Sequence, residues 1–191
     1  GNPLILYNIW DPGSAKAVAG AGAKAIATGS WGVACAAGYA DGEKLPLDFA
    51  IDNLERIQLV TDLPVTTDME AGYGETDSEV ARSVACAAAA GAAGINLEDK
   101  DPATRQLFPI EKAAARVAAA AASGLFVNAR TDVFILTPAA EHDVALVDDV
   151  IEAHRVGQQL IVIFGIRQDR QHADLVHQPA KGGLVRLELG V

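Results

Sequence analysis

Leu63-Pro64-Val65-Thr66-Thr67-Asp68-Met69-Glu70-Ala71-Gly72-Tyr73-Gly74 is an apolar run that ends in two carboxylates and a glycine-rich turn. The apolar part reads as a short strand. Side chains alternate along a strand, so Asp68 and Glu70 are expected on one face. Like charges on one face of a buried strand end repel, and each loses hydration there. A divalent cation or a shared proton would resolve the conflict, so the stretch reads first as a metal site.

Outward from it, apolar β-type runs alternate with longer helical patterns. Strands are predicted over 4–7, 25–28, 65–68, 94–97, 125–128, 160–164 and 184–188. Helices are predicted over 13–21, 46–61, 77–90, 109–123, 141–155 and 169–177. Pro46 and Pro109 suit first-turn positions, Asp77 and Ser78 an N-cap, and Gly91 and Gly124 helix C-termini. Such alternation implies parallel strands joined by crossovers. Polar residues close several strands: Asn8 and Asp11, Thr28 and Ser30, Asp68 and Glu70, Glu98 and Asp99, Arg130 and Asp132. An open doubly wound sheet concentrates its site at one switch point, whereas a (β/α)8 barrel draws it from many strand ends. The expected fold is therefore α/β, a (β/α)8 TIM-type barrel, with residues 1–191 as one domain. Eight units usually take about 250 residues, more than the 191 present. The C-terminal part is thus compressed or incomplete, and missing natural segments are the expected reason.

Half of the residues are hydrophobic and the formal charge is −10. That charge argues against nucleic acid or an anionic membrane as partner. No signal peptide or long apolar span is present, so a soluble cytoplasmic protein is expected. Cys35 and Cys86 lack metal-type spacing and read as small buried apolar residues. His142, His154, His172 and His177 likewise lack ligand spacing and read as surface residues.

If the inward face carries Asp68 and Glu70, the barrel mouth gathers Asp68, Glu70, Glu98 and Arg130. Singly, these read equally well as a buried Glu98–Arg130 salt bridge with Asp68 capping the next helix. Jointly, they suit a hard oxygen-liganded cation and an anionic substrate. Mg2+ prefers few direct carboxylates and keeps several waters; Zn2+ is disfavoured because the set has no His or Cys. The segment 29–42 reads as a long glycine-rich loop whose N–H groups could cradle a carboxylate or phosphoryl oxygen. Asp41 could return from it towards the metal.

The motifs Asn8-Ile9-Trp10-Asp11-Pro12-Gly13-Ser14-Ala15, Thr28-Gly29-Ser30-Trp31-Gly32, Asp68 to Gly74, Gly94-Ile95-Asn96-Leu97-Glu98-Asp99 and Asn128-Ala129-Arg130-Thr131-Asp132 occur in that order. Together the chain resembles the isocitrate lyase/phosphoenolpyruvate mutase superfamily, clearly over residues 4 to about 136. The resemblance implies a (β/α)8 barrel, bound Mg2+, and C–C or P–C bond chemistry beside a 2-oxo carboxylate. It implies Asp68 as direct metal ligand, with Asp41, Glu70 and Glu98 acting through waters. Ser30, Trp31 and Gly32 would grip the substrate carboxylate, and Arg130 its anionic oxygens, with Tyr73 and Gly74 lining the pocket. Arg130, Asp41 and Tyr73 form the expected catalytic set, with Tyr39, Tyr73 or water as proton donor. Relatives commonly form tetramers, so a homo-oligomer, dimer or tetramer, is expected.

Departures narrow the branch. The superfamily's lyases of isocitrate and methylisocitrate carry a Cys-containing motif after the fourth strand. Here that place reads Lys100-Asp101-Pro102-Ala103-Thr104-Arg105-Gln106-Leu107-Phe108, without Cys or His. The chain therefore looks like the short-lid branch, whose members are called carboxyphosphonate mutase-like or oxaloacetate decarboxylase-like. The expected activity is Mg2+-dependent C–C cleavage next to a 2-oxo carboxylate, through an enolate that the metal stabilises, on a small 2-oxo acid. Phosphonate P–C chemistry of the mutase or phosphonopyruvate hydrolase type is one alternative. A catalytically inactive metabolite-binding barrel is another.

Overall fold

The computed structural model describes residues 4–136 and, as backbone, the strands at 174–177 and 185–188. The elements in chain order are β1 (Tyr7–Ile9), α1 (Pro12–Gly20), β2 (Ile26–Thr28), α2 (Ser30–Ala36), α3 (Leu47–Gln58), β3 (Val65–Asp68) and α4 (Asp77–Ala89). They continue as β4 (Gly94–Glu98), α5 (Ile110–Ala121), β5 (Phe126–Arg130), α6 (Val133–Leu136), β6 (Asp174–His177) and β7 (Val185–Glu188).

Strands β1 to β5 form one parallel sheet whose spatial order is the chain order. A doubly wound sheet would reverse its order at a switch point. Unbroken sequential order is that of the TIM-type barrel, and β1 and β5, at the edges of this sheet, are the strands that take further neighbours on closure. The face of Ile26, Val65, Ile95, Leu97, Val127 and Ala129 packs into one core with Leu54 and Ile57 of α3, Val80 and Val84 of α4, and Val117 of α5. Each such buried aliphatic side chain contributes about 1.5–3 kcal/mol. With that face given to the helices, the alternate face, carrying Asp68, Asn96, Glu98, Asn128 and Arg130, points into the barrel.

Local chemistry explains the boundaries. Asp11 caps α1 through a 2.6 Å bond from the Ser14 N–H, and the Ser14 hydroxyl answers to the Asp11 N–H, a reciprocal box. The cap of α4 is Thr76, boxed with Glu79, rather than the expected Asp77 or Ser78. Asp77 and Glu79 instead fill the acid-favouring first turn. Pro46 and Pro109 stand one position before the first turn, as N-caps. Gly91 and Gly124 follow α4 and α5 at φ 91° and 80°, the left-handed termination that was expected.

Other expectations are corrected. The first strand is Tyr7–Ile9 rather than 4–7, because it pairs with β2 at Tyr7↔Ile26 and Ile9↔Thr28. The anticipated loop 29–42 contains α2, which buries Val33 and Ala34. Cys35 and Cys86 are exposed. They lie outside the buried sets of their helices, Val33 and Ala34 of α2 and Val80, Ser83, Val84 and Ala87 of α4. The helix expected over 169–177 is replaced at its end by β6, which pairs antiparallel with β7 at Asp174↔Glu188 and His177↔Val185. A terminal parallel strand over 184–188 is thus seen as a strand with an antiparallel partner. The strand 160–164, the helix 141–155, and His142, His154 and His172 lie outside the described residues. No helix among the described residues is long and apolar enough to cross a membrane.

Candidate active site

Strand register builds the site in two rows. Asp68 lies beside Asn96 and Asn96 beside Asn128, and two residues further Glu98 lies beside Arg130. Along the first row Asn128 Nδ2 donates to Asn96 Oδ1 at 2.6 Å, and Asn96 Nδ2 to Asp68 Oδ1 at 3.3 Å. Among the described residues the buried Asn128 Oδ1 has no hydrogen-bond partner.

The second row closes into a charge quartet. Arg130 reaches Glu98 Oε1 at 2.6 Å and, through Nε, Asp132 Oδ1 at 2.7 Å. Lys100 Nζ reaches Asp132 Oδ2 at 2.6 Å and Glu98 Oε2 at 3.1 Å. Two acids and two bases balance. Asp132 is wholly buried, and its N–H donates to Asp99 Oδ1 at 2.8 Å. Burial works against its charge, but the hydrogen bonds from Arg130 and Lys100 outweigh it and hold the carboxyl below the usual range. Burial pushes Glu98 up, against the pull of Arg130 and Lys100.

The acidic turn is different. Asp68 Oδ2 accepts from the Ser30 N–H at 3.1 Å, and Oδ1 accepts from the Glu70 N–H at 3.1 Å. The strand ends at Asp68, so alternation no longer governs Glu70. Its backbone is left-handed at φ 49°, as are Tyr73 at 52° and Glu43 at 56°. Such non-glycine conformations cost on the order of 1–3 kcal/mol each and persist only when their surroundings over-determine them. Here a latch does so: the Glu43 N–H donates to Glu70 Oε2 at 2.8 Å, and the Tyr73 N–H to Glu43 Oε1 at 2.8 Å. The Tyr73 hydroxyl also lies 3.4 Å from Glu70 Oε1. Glu70 is buried. Burial first, then the charges of Asp41, Asp68 and Glu43, push its carboxyl up to about 7. Burial pushes Glu43 up as well. Burial and the charges of Glu70, Glu43 and Asp68 raise the Tyr73 phenol, so it remains protonated and donates. Among the described residues no Lys or Arg forms an ion pair with Asp41, Glu43, Asp68 or Glu70.

The structure thus splits the expected set: Asp68 and Glu70 join the acidic turn, while Glu98 and Arg130 pair in the balanced quartet. The simpler reading holds in its first half only: the Glu98–Arg130 bridge forms, but the next helix, α4, is capped by Thr76, and Asp68 accepts instead from Ser30, the first residue of the earlier α2. Ser30, Trp31 and Gly32 form the first turn of that helix, where N–H groups have no intrahelical acceptor. Trp31 is largely exposed, and a Cβ on Gly32 would lie 3.2 Å from that of Trp10. Asp41 is exposed, near enough to raise Glu70. Thr28, Ser30, Thr67, Asp68 and Tyr73 line a narrow cavity at the C-terminal ends of β2 and β3. Tyr39 packs its ring against Phe49, with centroids 6.0 Å apart. The segment 100–108 is a tight loop: Lys100 bridges to Leu107, and the Phe108 N–H returns to the Asp99 carbonyl at 2.8 Å.

Sequence reasoning missed Glu43, Lys100 and Asp132 as members of the site. Asp41-Gly42-Glu43 repeats the acid-x-acid spacing of Asp68 and Glu70 beside a glycine, a signal that could have drawn attention to Glu43. Lys100 and Asp132 each stand two residues beyond a strand-end charge, Glu98 and Arg130.

The family model for phosphoenolpyruvate phosphomutase matches residues 1–179. 2-Methylisocitrate lyase of Escherichia coli (strain K12) is 34% identical over 105 residues, 54% of this chain and 36% of that protein. The chain therefore spans well under two thirds of the curated relative it matches. Among solved structures, a protein provisionally called a phosphonomutase from Burkholderia cenocepacia J2315 superposes with TM-score 0.81 at 46% identity, over 87% of this chain and 71% of that one. A phosphonopyruvate hydrolase in complex with oxalate and Mg2+ superposes with TM-score 0.76 at 23% identity, over 86% of this chain and 60% of that one. At that identity the likeness is one of fold.

Proposed function

The chain belongs to the phosphoenolpyruvate phosphomutase family, within the phosphoenolpyruvate mutase/isocitrate lyase superfamily, and from that premise we propose a Mg2+-dependent lyase that breaks the C–C bond beside a 2-oxo carboxylate. The observation that carries this reading is the unpaired acidity of the turn after β3. Four carboxylates, Asp41, Glu43, Asp68 and Glu70, share a region where burial and mutual repulsion push Glu70 up to about 7. A divalent cation would relieve that repulsion, so the residues fit one. Among the described residues no three such side chains lie close enough to hold an ion directly. The family resemblance makes Asp68 the direct ligand with Glu70, Glu98 and Asp41 acting through waters, and few direct carboxylates with several waters is the coordination Mg2+ favours.

Bound there, Mg2+ would act as a Lewis acid for the charge that develops on the 2-oxo oxygen as the bond breaks. The chain's own groups do the rest. First-turn N–H groups of Trp31 and Gly32, which have no intrahelical acceptor, would receive a carboxylate; that of Ser30 already serves Asp68. Arg130, held by Glu98 and Asp132, presents a preorganised cation to the substrate's anionic oxygens. Tyr73 lines the cavity beside Asp68 and keeps its proton, which makes it the candidate donor.

A second reading, cleavage or migration of a P–C bond in a phosphonate, draws support from the 46% identical relative provisionally called a phosphonomutase. Thermal unfolding with and without Mg2+ plus oxalate tests the site, since a ligand that binds only the folded chain raises its apparent stability. Absence of any shift at saturating concentrations would refute the metal reading and favour an inactive barrel. Turnover assays with oxaloacetate, methylisocitrate and phosphonopyruvate then separate C–C from P–C chemistry.

A further inference from the structure

We infer that Arg116 is a positioning residue for the acidic site, holding the turn that carries Glu70 and Tyr73 and tying it to the 100–108 loop; this rests on the Mg2+ reading above. Residues 113, 116, 117 and 120 form the buried stripe of α5, and three of them are Ala113, Val117 and Ala120. An arginine on such a stripe is out of character. Its side chain is among the largest fully buried ones, 2% exposed, yet no carboxylate pairs with it among the described residues.

What it meets instead is backbone. Arg116 Nη2 donates to the carbonyls of Ala71 and Gly74, the latter at 2.8 Å, and Nη1 donates to that of Glu75 at 3.4 Å. One planar fork thereby collects three carbonyls from a five-residue stretch, which a lysine's single ammonium cannot match in geometry. That stretch contains Gly72 and Tyr73 in left-handed conformations and begins just after left-handed Glu70. Burying a cation is costly; the carbonyl cluster offsets part of that cost, and the charges of Glu43, Asp77 and Asp101 favour the cation as well.

The guanidinium carbon lies over the Phe108 ring, 4.6 Å from its centroid. Phe108 ends the 100–108 loop, and its N–H is fixed to the Asp99 carbonyl. Arg116 therefore links the loop after β4 to the turn after β3, beside the direct packing of Phe108 with Ala71 and Ala113. Its effect on the metal passes through Glu70 and Tyr73, as outer-shell groups act on ligands in metal sites.

The test compares the wild-type chain with Arg116→Lys, by Mg2+ titration and by amide hydrogen exchange resolved by peptide. The expected result is Mg2+ affinity weakened about 10- to 100-fold, with faster exchange in peptides covering 69–76 and 100–108 and unchanged exchange in β1 and β2. Wild-type affinity in the variant, or exchange raised evenly along the whole chain, overturns the inference while leaving the metal reading intact. A wild-type chain that does not respond to Mg2+ overturns the metal reading and this inference with it. If Arg116→Lys does not fold, Phe108→Leu, which removes the ring platform but keeps an apolar side chain against Ala71 and Ala113, takes its place. It is expected to move the same two readouts less far, and wild-type values for both overturn the inference.

Discussion

The wholly buried carboxylate of Asp132 grips Arg130 through Nε at 2.7 Å with one oxygen, and Lys100 at 2.6 Å with the other. The cation proposed to meet the substrate is thus held from behind, and its position depends on a residue outside the metal set. Asp132→Ala leaves two cations with only Glu98 between them. Removing one partner of a buried pair typically costs about 3–5 kcal/mol, so urea unfolding should show a loss of that order. A loss below about 1 kcal/mol would mean that solvent already screens the quartet.

Asp68→Asn isolates the metal from the fold. Asn retains an oxygen for the Glu70 N–H, so the chain should remain folded, with a cost within about 2 kcal/mol from the weakened Ser30 contact. The stabilisation by Mg2+ plus oxalate should vanish. A Mg2+ response of wild-type size would remove Asp68 from the metal's coordination.

The Glu70 carboxyl sets a sign for pH dependence. It is raised from 4.5 to about 7, so between those values the folded metal-free chain binds more protons than the unfolded one. Stability then falls as pH rises through that window. The urea midpoint of metal-free protein should be higher at pH 5.5 than at 7.5, and Glu70→Gln should reduce the difference, the remainder coming from Glu98, which burial also pushes up to about 7. The opposing contribution of Asp132, whose carboxyl is lowered, is lost only at more acidic pH. A midpoint that climbs from pH 5.5 to 7.5 contradicts the assignment.

Gly74 is required by space. A Cβ there would lie 2.5 Å from Glu79 Cβ and 2.9 Å from the Glu79 and Val80 backbone in the first turn of α4. Backbone cannot swing aside, so Gly74→Ala should destabilise by about 1–3 kcal/mol. Because Gly74 offers its carbonyl to Arg116, Mg2+ affinity should fall as well. Unchanged thermal stability would show that the turn has room to shift.

The 3.6-residue and two-residue periods of the chain were enough to order five strand–helix units and to mark which residues end each strand. On the premise that the face of Asp68 is inward, they grouped Glu98 and Arg130 with it, because alternation within a strand is a local property. Cys35 and Cys86 were misjudged because an alanine-rich helix offers little contrast between its faces. The helix in 30–36 was missed because glycine and small residues mimic a loop.

What tertiary structure alone decided begins where the strands stop. Glu70 reaches the site through a left-handed turn, not by alternation, and the sign of φ leaves no trace in a hydrophobic pattern. Glu43 arrives from a different connection, 27 positions earlier in the chain. Whether Arg130 stood free or paired depended on Lys100 and Asp132, whose meeting across 32 residues is fixed by strand register. Sequence by itself thus determined the parallel α/β order, the polar strand ends and the family. Packing alone decided how their charges divide, a balanced quartet on one side and an unpaired acidic turn on the other. The physical reason is that secondary structure follows from neighbours along the chain, whereas the partner of a buried charge is chosen by whatever the folded backbone brings within about 4 Å of it.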